Sequence, residues 1–131
     1  CAVGRLLDVC RQSIIFESVE ELLRCFIRIA TDTDIDIVRI KNRLSRNAAF
    51  PPGIGDKRVF VGVRLDLRYN SSQSAGYRDL VLNMSVNTKE TRELHVSAHV
   101  CEVQLLLAEF AQMKSDEGHR RYKQFRDERC E

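Results

Sequence analysis

The apolar positions change period along the chain, and those changes predict its elements. From Leu6 to Phe16, apolar and β-branched residues surround Asp8 and Arg11 and close on Ser13-Ile14-Ile15-Phe16, the pattern of a buried strand entered through a polar corner. Ser18 followed by Glu21 forms a capping box. Val19, Leu22, Leu23, Phe26, Ile27 and Ala30 come after it at helical spacing, one stripe to lie on a sheet. The acidic stretch from Thr31 to Asp36 predicts a turn. Ile35 to Leu44 then alternates, with Val38, Ile40, Asn42 and Leu44 on one face and Arg39, Lys41 and Arg43 on the other. Pro51-Pro52-Gly53 and Gly55 make Ser45 to Asp56 a loop, and Val59 to Leu67 alternates again until Asn70-Ser71-Ser72. Leu80 to Val86 and His95 to Leu105 read as an antiparallel pair around a polar turn at Asn87 to Glu90. From about Gln104 the period becomes helical through Leu106, Phe110 and Met113, and after Gly118 a charged helix with Tyr122 and Phe125 closes the chain.

Strand, helix, several strands and then helices predict an α/β (α+β) fold, a mixed and largely antiparallel sheet with flanking helices. The 131 residues read as one domain, with 44% apolar and 31% charged positions. A chain of that length can bury roughly two thirds of its unfolded surface, so its core needs no covalent staples. No run approaches the ~18 apolar residues of a membrane span. Lys and Arg number 21 against 19 Asp and Glu, a net charge of +2. That balance makes no global case for nucleic acid or an anionic membrane, so any phosphate site must be local. Cys1, Cys10, Cys25, Cys101 and Cys130 are odd in number and lack a Cys-x-x-Cys pair, which points to a reducing, cytoplasmic setting. A Cys at position 1, with an apolar run a few residues on, reads as a segment of a longer polypeptide.

Two acidic residues stand where acid is costly. Glu102 shares a predicted strand face with Gln104, Val96, Ala98 and Val100, and Asp8 sits in an otherwise apolar strand. Buried charge persists when it is paired or bound to metal. Each carboxylate therefore either meets an arginine, or the two together hold one Mg²⁺ whose octahedron is completed by nucleotide phosphates. Arg39, Lys41 and Arg43 offer cations at ~6.6 Å steps along one strand face, a spacing that suits a polyphosphate and is equally common on solvated faces. Tyr77, after Gly76, puts a ring at a corner where a base could stack, or is simply a structural Tyr at a strand start. His95 and His99 fall on one strand face roughly 13 Å apart, too far to share a metal. His119, Tyr122, Lys123 and Arg126 form one helical stripe, an exposed face or a cover over an anion. The sequence has no Gly-x-Ser-x-Gly, no phosphate-loop signature and no dinucleotide fingerprint, so hydrolase triads and Rossmann chemistry lack support.

In order, these segments resemble the synthetase domain of the RelA/SpoT family, which moves pyrophosphate from ATP to the 3′-hydroxyl of GTP or GDP. The resemblance rests on Asp8 opening a strand, the Ser18 helix, Ile40-Lys41-Asn42-Arg43-Leu44 before a loop, Gly76-Tyr77-Arg78-Asp79 entering a strand, Glu102-Val103-Gln104-Leu105, and His119-x-x-Tyr122-Lys123. It runs from about Leu6 to Arg126, with an insertion at about 45–75. It implies a nucleotidyltransferase-like fold binding the purine nucleotides ATP, GTP or GDP. Asp8 and Glu102 would lie at Mg²⁺, with Glu102 also activating the attacking hydroxyl. Tyr77 would stack on guanine, and Lys41 and Arg43 would meet phosphates, within a site that also draws on Arg11, Arg39, Gln104, His119 and Lys123. The family places Arg where this chain has Ser13, His where it has Val81, and a basic strand ahead of the Asp strand. Those differences motivate the alternative of a catalytically inactive nucleotide-sensing or protein-interaction module within a larger protein.

Overall fold

A computed structural model describes residues 9–44, 63–66, 77–112, 120 and 124, with 64–66 described as backbone. The first strand, β1 (Arg11–Phe16), leads through Ser18 into helix α1 (Val19–Thr31). The Ser18 hydroxyl accepts the Glu21 N–H at 3.2 Å, and the Glu21 carboxylate takes the N–H of Glu17 at 3.3 Å, one residue earlier than a standard capping box. Leu22 and Phe26, one turn apart, are the helix's fully buried side chains, while Val19 and Ile27 fall on its exposed flank. Asp32 ends the helix: its N–H reaches the Ile29 carbonyl at 3.4 Å and its side chain accepts the Asp34 N–H at 2.9 Å.

The chain continues through β2 (Ile35–Asn42), the short β3 (Arg64–Asp66), β4 (Leu80–Val86), α2 (Lys89–Glu93), β5 (Cys101–Leu107) and α3 (Ala108–Gln112). These strands form one five-stranded mixed sheet in the order β1-β5-β4-β2-β3. β1 and β5 run parallel, as do β2 and β3, while β4 is antiparallel to both β5 and β2. The described pairings are thus evenly divided, not largely antiparallel. Parallel neighbours need a long connection, which residues 17–100 supply between β1 and β5. α1 packs on one face, where Leu22 and Phe26 meet Ile40, Leu80, Leu82 and Leu105. Val103 and Leu107 extend that apolar face along β5, so the intervening Glu102, Gln104 and Leu106 point to the far face.

Three sequence expectations change. The alternation expected through Ile35–Leu44 is broken by a bulge between Ile37 and Arg39. Ile37 joins the core and Val38 turns outward at 45% exposure, because the extra residue reverses the facing of every position before it. The strand expected from His95 starts at Cys101 instead. Thr88 caps α2 through a reciprocal bond with Thr91, and His95 follows with a left-handed φ of 57°, so alternation between 95 and 100 describes a turn. The helical period expected from Gln104 begins at Ala108, since Leu105 and Leu106, buried on opposite faces, are still strand. Most of the run from Val59 to Leu67, the loop before it and the closing charged helix fall largely outside the described residues.

Candidate functional site

The register places two transverse rows on the far face. Arg11, Glu102, Asn83, Arg39 and Arg64 stand in line across β1, β5, β4, β2 and β3, and Ser13, Gln104, Val81, Lys41 and Asp66 form the next row. Opposed residues of neighbouring strands share a face, so the first row is polar from Arg11 on β1 to Arg39 on β2. Its centre is buried, with Glu102 8% and Asn83 0% exposed.

Among the described residues, Glu102 is held by neutral donors and one distant cation. One carboxylate oxygen, Oε1, accepts from Gln104 Nε2 at 3.1 Å and lies 3.9 Å from Arg11 Nη1; the other, Oε2, accepts from Asn83 Nδ2 at 3.4 Å. Ser13 supports the arrangement by donating its hydroxyl to Gln104 Oε1 at 3.2 Å. The carboxylate dictates the orientation of the Asn83 amide, whose NH₂ must face the anion. Its carbonyl therefore faces away, and Asn83 Oδ1 is buried with no hydrogen-bond partner among the described residues. An orphaned buried acceptor costs about 1–3 kcal/mol. Arg39 and Lys41, both half-buried, stand on β2, about 10 Å from the Glu102 column by two inter-strand steps.

A second polar group closes the sheet at the β2–β4 end. Asp79 is fully buried, and Arg43 donates from Nε to Oδ1 at 2.5 Å and from Nη2 to Oδ2 at 2.6 Å. This is the bidentate fork that guanidinium geometry favours. The Arg43 guanidinium also lies 5.5 Å from the Tyr77 ring centroid, within cation–π range. The Arg43 N–H reaches the Asp79 carbonyl at 2.9 Å, and Arg78 donates to the Leu44 carbonyl at 2.7 Å. Tyr77, Arg78 and Asp79 thus brace the end of β2.

The structure brings together Arg11, Glu102 and Gln104, sets Arg39 and Lys41 two strands away on the same rows, and holds Arg43 and Tyr77 against Asp79. Asp8, His119 and Lys123 lie outside the described residues; the nearest described residue to Asp8 that meets Glu102 is Cys10, whose carbonyl accepts the Glu102 N–H at 2.8 Å. Sequence reasoning missed Asn83, Ser13 and Asp79. A mid-strand Asn between Leu82 and Met84 was the available signal, because an amide in an apolar strand needs partners as a carboxylate does. Among the described residues no three His, Cys, Asp or Glu side chains converge as a metal site. Glu102 and the Asn83 carbonyl are hard oxygen donors of the kind Mg²⁺ takes. Of the thiols, burial pushes Cys25 up, with Arg28 offsetting part of the rise, and burial pushes Cys101 up with the neighbouring Cys10 thiol adding to it.

Comparison with family models, with curated proteins and with solved structures finds no match to this chain. No helix among the described residues is long and apolar enough to cross a membrane.

Proposed function

We propose that this chain is a RelA/SpoT-like, nucleotidyltransferase-type domain of a cytoplasmic protein, binding a purine nucleotide, ATP, GTP or GDP, along the polar row of the far face. The observation that supports the reading is Glu102: a buried carboxylate tied by two side-chain amides, with its nearest described cation at 3.9 Å. A carboxylate kept for structure would close on a guanidinium, as Asp79 does. Glu102 instead retains capacity for a cation or a ligand hydroxyl, and Gln104 and Asn83 orient it. Mg²⁺, when bound with the nucleotide, would neutralise phosphate charge beside Glu102 and Asp8. Arg39 and Lys41 supply positive charge along β2, and Arg11 supplies it at the strand edge. Turnover in this reading is attack of the ribose 3′-hydroxyl of GTP or GDP on the β-phosphorus of ATP: Glu102 accepts the hydroxyl proton, the α–β phosphoanhydride bond breaks and AMP leaves; positioning and charge neutralisation carry most of the catalysis.

A second reading, binding without turnover, is favoured by Arg43 and Tyr77. Both are engaged with Asp79 or with each other, and the resemblance would assign them to the acceptor nucleotide. Calorimetric titration of Mg²⁺-ATP, Mg²⁺-GTP and Mg²⁺-GDP into the protein tests the binding, with Glu102→Gln as the control expected to abolish it. A flat titration with every nucleotide would overturn the site. Labelled ATP incubated with GTP then separates the two readings by whether a pyrophosphorylated product appears.

A further inference from the structure

Cys10 and Cys101 stand side by side at the β1–β5 seam. Arg11 pairs with Glu102 in the parallel register and the Glu102 N–H reaches the Cys10 carbonyl at 2.8 Å, so one step back on each strand brings Cys10 opposite Cys101. Opposed residues on neighbouring strands carry their side chains on one face, with the strands about 4.8 Å apart. That separation falls inside the Cα–Cα range of about 4.4–6.8 Å that a disulfide spans. Both thiols are free, Cys10 is exposed and Cys101 half-buried, and the two interact. They project to the face opposite Glu102 and take no part in the polar row.

We propose that Cys10 and Cys101 form a reversible redox pair that closes as a disulfide between β1 and β5 in the presence of a low-molecular-weight disulfide such as oxidised glutathione. The exposed Cys10 thiolate attacks a sulfur of oxidised glutathione, forming a mixed disulfide and releasing one glutathione thiolate. Cys101, as thiolate, then attacks Sγ of Cys10 and releases the second. Two protein thiols are oxidised to one disulfide, one glutathione disulfide is reduced to two thiols, and the protons leave to solvent and to the glutathione thiolates. Transient disulfides of this kind are the form expected in a reducing compartment. The bond lies one residue before Arg11 and Glu102 and ties together the two strands that carry them. Its regulatory meaning rests on the nucleotide reading; its chemistry does not.

The test equilibrates the folded chain with glutathione buffers of rising oxidised fraction, blocks the remaining thiols by alkylation and maps peptides by mass spectrometry. The expected product is a Cys10–Cys101-linked peptide lacking two hydrogens and carrying no glutathione, formed before Cys25 is modified and reversed by dithiothreitol. In Cys101→Ser, Cys10 should stop at the glutathione adduct. Cys10 and Cys101 modified separately in the parent chain, or Cys10 bonded to another cysteine, would overturn the pair. Nucleotide titration of the oxidised and reduced forms is read independently: no binding in either state counts against the nucleotide site and leaves a mapped disulfide standing.

Discussion

Asp79 and Glu102 are both buried carboxylates on one sheet, and their surroundings differ in kind. Asp79 has a bidentate arginine, and that arginine stacks on an aromatic ring. Among the described residues, Glu102 has two neutral amides, a guanidinium at 3.9 Å and a neighbouring amide carbonyl with no partner. The first arrangement leaves little chemistry for anything else to do. Among the described residues the second keeps negative charge under cover and incompletely neutralised, which the proposed function reads as an acid kept for a ligand. Burial by itself does not separate a structural from a functional acid; the completeness of its partners does.

Removing Arg43 should break the contrast most severely. Arg43→Met strands Asp79 without a countercharge, and urea unfolding should show a loss of about 3–5 kcal/mol. Combining it with Asp79→Leu should restore most of that loss, since the penalty belongs to the unpaired charge. If Arg43→Met costs little, the corner is not the closed pair described.

Asn83→Leu should move the other way. It deletes the orphaned carbonyl at similar volume and forfeits one long bond to Glu102, so thermal and urea unfolding should show a gain of about 1 kcal/mol. Nucleotide binding should weaken at the same time, because Glu102 loses one of the groups that orients it. A clear loss of stability would mean that the Asn83 amide is a structural requirement.

Glu102→Gln sharpens the comparison on the acid itself. With its nearest described cation at 3.9 Å, neutralising it should change stability by less than about 1 kcal/mol. A loss comparable to that of Arg43→Met would make Glu102 a second Asp79 and remove the argument for a site.

Glu90 supplies the exposed reference. Its own backbone N–H and then the Thr88 hydroxyl hold its carboxyl below the ordinary value. A depressed folded-state pKa contributes stability that is present above the ordinary carboxylate value and disappears as pH falls through the depressed one. Acidification should therefore loosen the first turn of α2, read as movement of the Thr91 and Arg92 amide resonances, with little change in the global unfolding transition. An unchanged turn through that range would remove the assigned role of the carboxylate.

Periodicity made the local elements legible. The Ser18 cap, the Leu22–Phe26 stripe and the strand from Leu80 to Val86 follow from spacing, because cap chemistry and side-chain period act between residues a few positions apart. The reading failed where a tertiary constraint overrode a short-range pattern. Val38 left the core because of the bulge, and the residues after His95 turned because α2 ended there. The sequence also singled out Glu102, on one face with Gln104, as an acid out of place in its strand, and Arg39 and Lys41 as cations along one strand face. Their partners were not legible, because Asn83 and Glu102 are 19 residues apart and Ser13 and Gln104 are 91 apart.

By itself, then, the order of residues determined which segments are helical or extended and which polar groups would need an explanation. The tertiary structure decided which explanation each received. Inserting β5 between β1 and β4 set Glu102 against the Asn83 amide, while the return of the chain at Tyr77 gave Asp79 a guanidinium. Helix and strand preferences are settled by neighbours along the backbone, but the neutralisation of a buried charge depends on distances of a few ångströms, and folding alone sets those.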